Sequence, residues 1–149
     1  GGEFSVTGVG YEPEGDFAMD GQIVDPTRHP DLMALLETGL RCNNADISFD
    51  GKEWSHTGEP TEAALVVAAH KAGLRSDETL NTVSEFSFNS SRKRMTVMEQ
   101  GSDGLVAHVK GAPEVILERC SRIMDHDQET VMAAADRETA VDAYLNFGR

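Results

Sequence analysis

Cysteine is nearly absent from this chain: Cys42 and Cys120 are the only two among 149 residues. They stand far apart, with no second cysteine or histidine at metal-ligand spacing, so the pattern speaks against a zinc site and for two buried free thiols. Such thiols suit a reducing compartment. Long apolar runs are missing too; no stretch of 18 residues is apolar enough to suggest a membrane span. With 5 Pro, 14 Gly and 6% aromatic residues, a collagen-like or low-complexity chain is excluded. Basic residues are also in deficit, 13 against 26 acidic ones, for a formal net charge of −13. A charge of that sign repels nucleic-acid phosphates and anionic membrane surfaces, which excludes a general nucleic-acid binder. The opening Gly1-Gly2-Glu3-Phe4 lacks the charged start and apolar stretch of a signal peptide and reads as a cut chain or a cloning remnant.

What is present is a globular composition, 39% hydrophobic, at a length that fits one domain over residues 1–149. A chain of this size buries roughly two thirds of its unfolded surface and needs no metal or disulfide staple. Alternation from residue 3 to 10 suggests an entering strand, and residues 11–29, rich in turn-forming residues, read as a long surface loop. From Pro30, the leucines at 32, 35, 36 and 40 recur at helical spacing through about Cys42. Residues 47–54 bracket Asp50-Gly51, which predicts a hairpin with a two-residue type I′ turn. Pro60 to Gly73 is the clearest helix, with proline near its start and glycine where a C-terminal cap belongs. Residues 82–88, 94–100 and 105–110 read as three successive antiparallel strands. A short helix then starts at Pro113, a brief strand lies near Ile123, and a longer helix over 129–147 presents Val131, Ala135, Val141, Tyr144 and Leu145 on one face. Strands grouped around helices without regular β-α-β alternation make this an α+β fold, an antiparallel β-sheet flanked by helices.

One region departs from the overall acidity. Between Phe86 and Lys110 stand four bases, Arg92, Lys93, Arg94 and Lys110, against Glu99 and Asp103. Such an island can bind an anionic ligand or an acidic partner, or can simply be a solvated strand face. The common nucleotide signatures are missing: the only Gly-Lys pair, Gly51-Lys52, is followed by Glu53, and Gly8-Val9-Gly10 has Pro13 where a third glycine belongs. No nucleophile elbow, zinc-protease motif or local Cys/His pair occurs. The residues therefore assign neither a catalytic nor a metal-binding role within the chain.

Three segments, Gly58 to Leu65 (GEPTEAAL), Phe88 to Met95 (FNSSRKRM) and Lys110 to Leu117 (KGAPEVIL), taken in order, resemble the nucleotide-binding domain of P-type cation-transporting ATPases, in the calcium-type and sodium/potassium-type branches. RCNNA at residues 41–45 and AYLNFGR at the chain's end are similar to that family as well. The resemblance covers nearly the whole chain and implies that family's fold. It implies that Glu62 reaches the adenine edge, as a carboxylate accepting from an exocyclic amine can. Phe88 is the counterpart of the aromatic that stacks on the adenine ring. Phe86, two residues earlier on the same strand, would share its face, and only the alignment chooses between them. Lys93 is the counterpart of a base directed at the phosphates, and Met95 of a residue lining the adenine pocket; on a strand the two share a face, leaving Arg92 and Arg94 to point away, solvated or paired. Lys110 would lie deep in the adenosine pocket, with Gly111 giving close backbone approach. Ser90 stands where calcium-pump relatives often carry an arginine, and looks more like the sodium/potassium pattern.

The heavy-metal branch reads adenine with a His-Pro pair, but His29-Pro30 is read as a helix start because that branch lacks the Lys-Gly-Ala-Pro segment. Gly148-Arg149 lacks the residue that separates Gly from Arg in a further family motif, so no role falls to Arg149. The family's phosphate-accepting aspartate lies in an Asp-Lys-Thr-Gly-Thr motif that is not in this sequence, and residues 3–11 resemble the family's segment just after that motif. The resemblance thus implies a fragment that binds ATP with Mg2+, whose main ligands lie elsewhere, and forms no aspartyl-phosphate itself. It would be a monomeric cytoplasmic domain of an integral membrane pump that does not itself touch the membrane and works beside phosphorylation and actuator domains. The competing expectation is an interaction module independent of nucleotide, docking an acidic partner on Arg92 to Arg94.

Overall fold

The computed structural model describes residues 2–76 and 81–147. In chain order the elements are β1 (Phe4–Val6), β2 (Phe17–Met19), β3 (Gln22–Val24), a 3-10 turn (Pro26–Arg28), α1 (Pro30–Arg41), β4 (Asp46–Phe49), β5 (Trp54–Thr57), α2 (Pro60–Lys71), β6 (Asn81–Asn89), β7 (Arg94–Gly101), β8 (Gly104–Gly111), α3 (Pro113–Leu117), β9 (Arg122–Asp125), β10 (Gln128–Val131) and α4 (Ala134–Phe147). The α+β class holds and every pairing among the described residues is antiparallel. The expected single sheet is divided among the described residues into four: β1-β2-β3, β4-β5, β6-β7-β8 and β9-β10.

The two long core helices form for legible reasons. Each carries proline at its first turn, where a missing N–H costs nothing, and an acidic residue there, Asp31 or Glu62, complements the helix dipole. α2 ends in a Schellman cap: Leu74 N donates to Ala69 O and Gly73 N to His70 O, each at 3.0 Å, with Gly73 at φ 84. Leu32, Leu36 and Leu40 of α1 meet Val66, Val67 and Ala69 of α2, together with Phe17, Ile47 and Ala72, in the larger hydrophobic cluster. Leu35 departs from expectation: it is 70% exposed, flanking that stripe on the solvent side. A second, smaller cluster of Cys42, Met95 and Val97 lies where the end of α1 meets the β6-β7-β8 sheet.

Other segments correct the sequence reading. The initial strand stops at Val6, because Gly8 and Gly10 take positive φ. The 11–29 stretch contains the β2-β3 hairpin, turned at Asp20-Gly21 with φ of 52° and 76°, and its Phe17 is fully buried. That is the type I′ geometry expected at Asp50-Gly51. At Asp50-Gly51 the loop instead spans residues 50–53, and Asp50 Oδ1 accepts from Lys52 N at 2.8 Å and Glu53 N at 2.9 Å. Residues 128–131 form β10 and not the first turn of the last helix; α4 starts later, where Asp136 Oδ2 accepts from Ala133 N at 2.7 Å. Arg137 ties α4 to α3 by donating to the carbonyls of Leu117 and Cys120. The apolar side chains Val141, Tyr144 and Leu145 of α4 are exposed, not packed as expected. Both cysteines are free; Cys42 is buried, whereas Cys120 is only partly so. The Gly148-Arg149 reading lies outside the described residues.

This packing can be tested at two positions. Leu36→Ala removes a side chain only 8% exposed and is expected to lower unfolding free energy in urea by about 2–5 kcal/mol, while Leu35→Ala changes it by no more than about 0.5 kcal/mol. His70, on α2, has a ring Nε2 without a hydrogen-bond partner among the described residues, and burial, reinforced by Arg75 and opposed by Asp46, holds its pKa below the usual histidine value. The unfolded chain therefore takes up this proton first. Its contribution to stability is complete above the unfolded pKa of about 6.5 and is lost as pH falls through that value toward the lower folded pKa. Urea melts between pH 7 and 5 should show a shallower pH dependence in His70→Gln than in the parent chain.

Candidate functional site

Glu62 sits in the first turn of α2 and Lys110 near the end of β8, and their side chains meet: Lys110 Nζ donates to Glu62 Oε1 at 2.5 Å. Both side chains are largely buried, 18% and 24% exposed, so the pair is screened less than a surface ion pair. The second carboxylate oxygen of Glu62 accepts from Asn44 N at 3.3 Å, and Asn43 Nδ2 donates to the Glu62 carbonyl at 2.9 Å. From Asn44 the seam continues to the sheet, where Asn44 Nδ2 donates to Glu85 Oε1 at 2.9 Å and Ser87 Oγ donates to the same oxygen at 3.0 Å. A continuous polar path thus runs from β8 through α2 and the end of α1 to β6. Asn43, Asn44 and Glu85 carry that path, and no role was expected of them; the RCNNA segment was the only signal.

Met95 lies directly opposite Lys110 in the β7-β8 register and is 1% exposed, packed with Cys42 and Val97. Burial pushes the Cys42 thiol up in pKa, against the opposing influence of Lys110. Phe88 is 63% exposed near the end of β6. The expectation that Phe86 and Phe88 share a face fails, because a one-residue register shift intervenes: Phe86 pairs with Thr96, but Asn89 pairs with Arg94. The shift leaves Phe86 on the Thr96 and Arg94 face and turns Phe88 to the face of Met95 and Lys110.

Lys93 also corrects an expectation. It is not on the strand with Met95 but in the turn before it, at φ 51, and its Nζ pairs with Glu114 Oε1 at 3.3 Å. Ser90 is exposed in the same turn, which Asn89 organises by accepting from Ser91 N and Arg92 N at 2.8 and 3.1 Å. Arg92 is only partly exposed and makes no ion pair among the described residues. Its Nη2 donates to the carbonyls of Phe86, Ser87 and Arg94 at 3.0–3.2 Å, and its guanidinium lies 5.7 Å from the Phe86 ring centroid. Arg94 Nη1 in turn reaches Arg92 O at 3.4 Å. Arg92 and Arg94 are thus engaged with backbone carbonyls of the fold, whereas Lys93 remains more than half exposed.

Gly111 pairs with Arg94, and a Cβ there would stand 2.4 Å from Lys93 O. The close approach it allows is between two backbone segments of this chain. Next to it, Ala112 N donates to Lys93 O at 2.9 Å, locking the 90–93 turn to the start of α3. By register, the exposed Phe88 shares the sheet face of Met95 and Lys110, whose ammonium holds the Glu62 carboxylate, and Lys93 stands in the adjoining turn. Chemically, such a face can stack a flat ring, accept from a ring amine and attract an anionic tail.

The sequence matches, over residues 31–149, the model of the family described as P-type ATPase, cytoplasmic domain N. The calcium-transporting ATPase of Bacillus subtilis (strain 168) is 35% identical over 144 residues, covering 94% of this chain and 16% of that protein. The cation-transporting ATPase pma1 of Synechocystis is 32% identical over 139 residues, covering 88% of this chain and 15% of its own length. Calcium-transporting ATPase type 2C member 1 of Bos taurus is 30% identical over 138 residues, with coverages of 89% and 14%. The chain therefore spans about a sixth of the length of these relatives. All the site residues described above fall within the matched range.

The backbone contact at Gly111 yields a direct test. A side chain there must push against Lys93 O and against Arg94 Cβ, 2.7 Å away, so Gly111→Ala is expected to lower unfolding free energy by about 1–3 kcal/mol. Thermal melts monitored by circular dichroism would measure it.

Proposed function

This chain belongs to the family of P-type ATPase cytoplasmic N domains, and from that membership we propose that its 149 residues act as one domain that holds ATP by its adenosine moiety and presents the polyphosphate to a separate phosphoryl-accepting domain. The observation that carries the reading is the Glu62–Lys110 pair on the same face as Met95 and Phe88. On this reading Phe88 stacks on the adenine ring. Glu62 accepts from its 6-amino group, a position at which guanine carries a carbonyl oxygen that would repel the carboxylate. Met95 lines the floor beneath, and Lys110 sets the orientation of the Glu62 carboxylate. Lys93 and the Ser90 hydroxyl stand at the phosphate end, and Gly111 supports that end through the backbone it packs against.

The protein's part is positioning and not chemistry. Held at a fixed point, the terminal phosphate becomes an effectively intramolecular reactant for the accepting aspartate once the domains close. The ammonium groups at the phosphate end cannot ligate a cation, so Mg2+ enters on the phosphates of ATP and takes its protein ligands from outside these residues. The larger protein is proposed to be a membrane-embedded pump in which ATP hydrolysis drives cation transport. In it this domain is cytoplasmic and works beside phosphorylation and actuator domains.

Separated from those domains, the chain should bind weakly, with a dissociation constant on the order of a millimolar, about 4 kcal/mol. A ¹⁵N-HSQC titration with ATP, ADP, AMP and GTP is expected to give saturable shifts around Glu62, Phe88, Met95 and Lys110 for the adenine nucleotides and much weaker ones for GTP. Phe88→Ala should lose them while keeping a folded spectrum, and Lys110→Ala should lose them at a cost in stability. Equal response to GTP and ATP would exclude the proposed adenine contact, and the absence of any saturable shift up to about ten times the expected constant would exclude nucleotide holding altogether.

A further inference from the structure

Lys93 and Glu114 come from segments locked together by backbone and not by their own side chains. Lys93 N donates to Asn89 O at 2.6 Å, Lys93 O accepts from Ala112 N at 2.9 Å, and Gly111 sits against the Lys93 carbonyl. The turn and the first residues of α3 therefore hold a fixed separation, which keeps the Lys93 ammonium and the Glu114 carboxylate within 3.3 Å. Both side chains remain more than half exposed, so the pair can open at little cost and a competing anion can reach the lysine. Glu114 is also engaged by its own backbone N–H, which together with the Lys93 hydrogen bond holds its carboxyl below the usual range, so it is ionised at neutral pH. Of the four bases between Phe86 and Lys110, Arg92 and Arg94 donate to backbone carbonyls and Lys110 is bonded to Glu62. Lys93 is the one whose partner is a movable surface carboxylate.

Resting on the nucleotide-holding reading above, we propose that Glu114 is a built-in competitor for Lys93 that a nucleoside polyphosphate must displace, so that the site discriminates among adenine nucleotides by phosphate charge. Adenosine leaves the pair closed. AMP barely reaches it, and ADP and ATP draw the ammonium away from the carboxylate at the cost of opening the pair. Glu114 thus lowers affinity for the charged end of the ligand without touching the adenine contacts, and it favours release of the polyphosphate.

The test is a double-variant cycle on the full 149-residue chain, with Glu114→Gln, Lys93→Gln and the two combined, each titrated with adenosine, AMP, ADP and ATP by ¹⁵N-HSQC. Glu114→Gln is expected to tighten ADP and ATP by about two- to fivefold and to leave adenosine unchanged. That gain should disappear in the Lys93→Gln background and shrink at high salt. A gain of equal size with and without Lys93 would show plain repulsion between Glu114 and phosphate and would overturn the proposal. So would a Glu114→Gln chain that binds all four ligands as the parent does. Failure of the parent chain to bind either adenosine or ATP would instead sink the nucleotide-holding reading itself, and this inference with it.

Discussion

The bond between Lys110 and Glu62 joins two parts of the molecule that have separate cores. One is the cluster between α1 and α2, the other the small Cys42, Met95 and Val97 cluster beneath the β6-β7-β8 sheet. Helix α1 bridges them from the side, with Arg41 Nη1 donating to the buried Glu99 at 3.2 Å and Thr38 Oγ1 lying 3.1 Å from His108 Nδ1. Among the described residues, the ion pair is what ties the first turn of α2 directly to the strand that ends in the Lys-Gly-Ala segment. Removing one partner of a well-buried pair costs about 3–5 kcal/mol, because the other charge is left without compensation. The position of the Glu62 carboxylate is therefore a property of the packing of two cores, and the asparagines of the 41–45 segment fix its remaining oxygen.

Much of the fold was legible where local chemistry and burial agree. Pro30 and Pro60 open helices whose leucines and valines meet at i, i+4 spacing, and Gly73 closes the second one in the conformation its cap requires. Legibility failed where one local signal admits two structures. The Asp-Gly pair recurs along the chain, and the type I′ turn lies at Asp20-Gly21, inside a stretch read as loop, and not at Asp50-Gly51. The difference is supplied by burial. Phe17 enters the main core and fixes the register of its hairpin, whereas at residue 50 the aspartate side chain captures two backbone N–H groups and widens the loop. Likewise, Glu129 to Val131 has the composition of either a helix start or a strand, and its pairing with β9 decides.

The site was legible as a set of residue types and not as a geometry. Lys110 meets Glu62 and lies opposite Met95, since each of the three is on a regular element. Phe88 and Lys93 do not follow regular alternation. A bulge has no sequence signature of its own, so the reversal that separates the faces of Phe86 and Phe88 could be found only from the register. Lys93 adopts positive φ because the Asn89 cap and the backbone lock at Ala112 overdetermine it, and the second of these joins segments that are distant in sequence. Arg92 reads as surface charge in sequence and proves to be the brace that closes the bulge.

On the proposed function, an acidic chain that holds a polyanion faces a conflict between attraction and release. With a formal charge of −13, affinity for phosphate must come from a local field, and here the two lysines nearest the proposed ligand are each paired with a carboxylate. The two pairs are not equivalent. Lys110 is enclosed and its carboxylate has a second task at the adenine edge in the proposed function, so opening it would disturb the element proposed to give selectivity. Lys93 is at the rim, and its carboxylate has no task at the adenine. The proposed function thus puts selectivity in the buried pair and charge sensing in the exposed one. Binding energy spent on holding ATP tightly would be uniform binding, which deepens the ground state without lowering the barrier to phosphoryl transfer. A positioning domain is better served by an accurate adenine grip and a loosely held phosphate tail, and the unequal burial of these two ion pairs is what the proposed function requires for both.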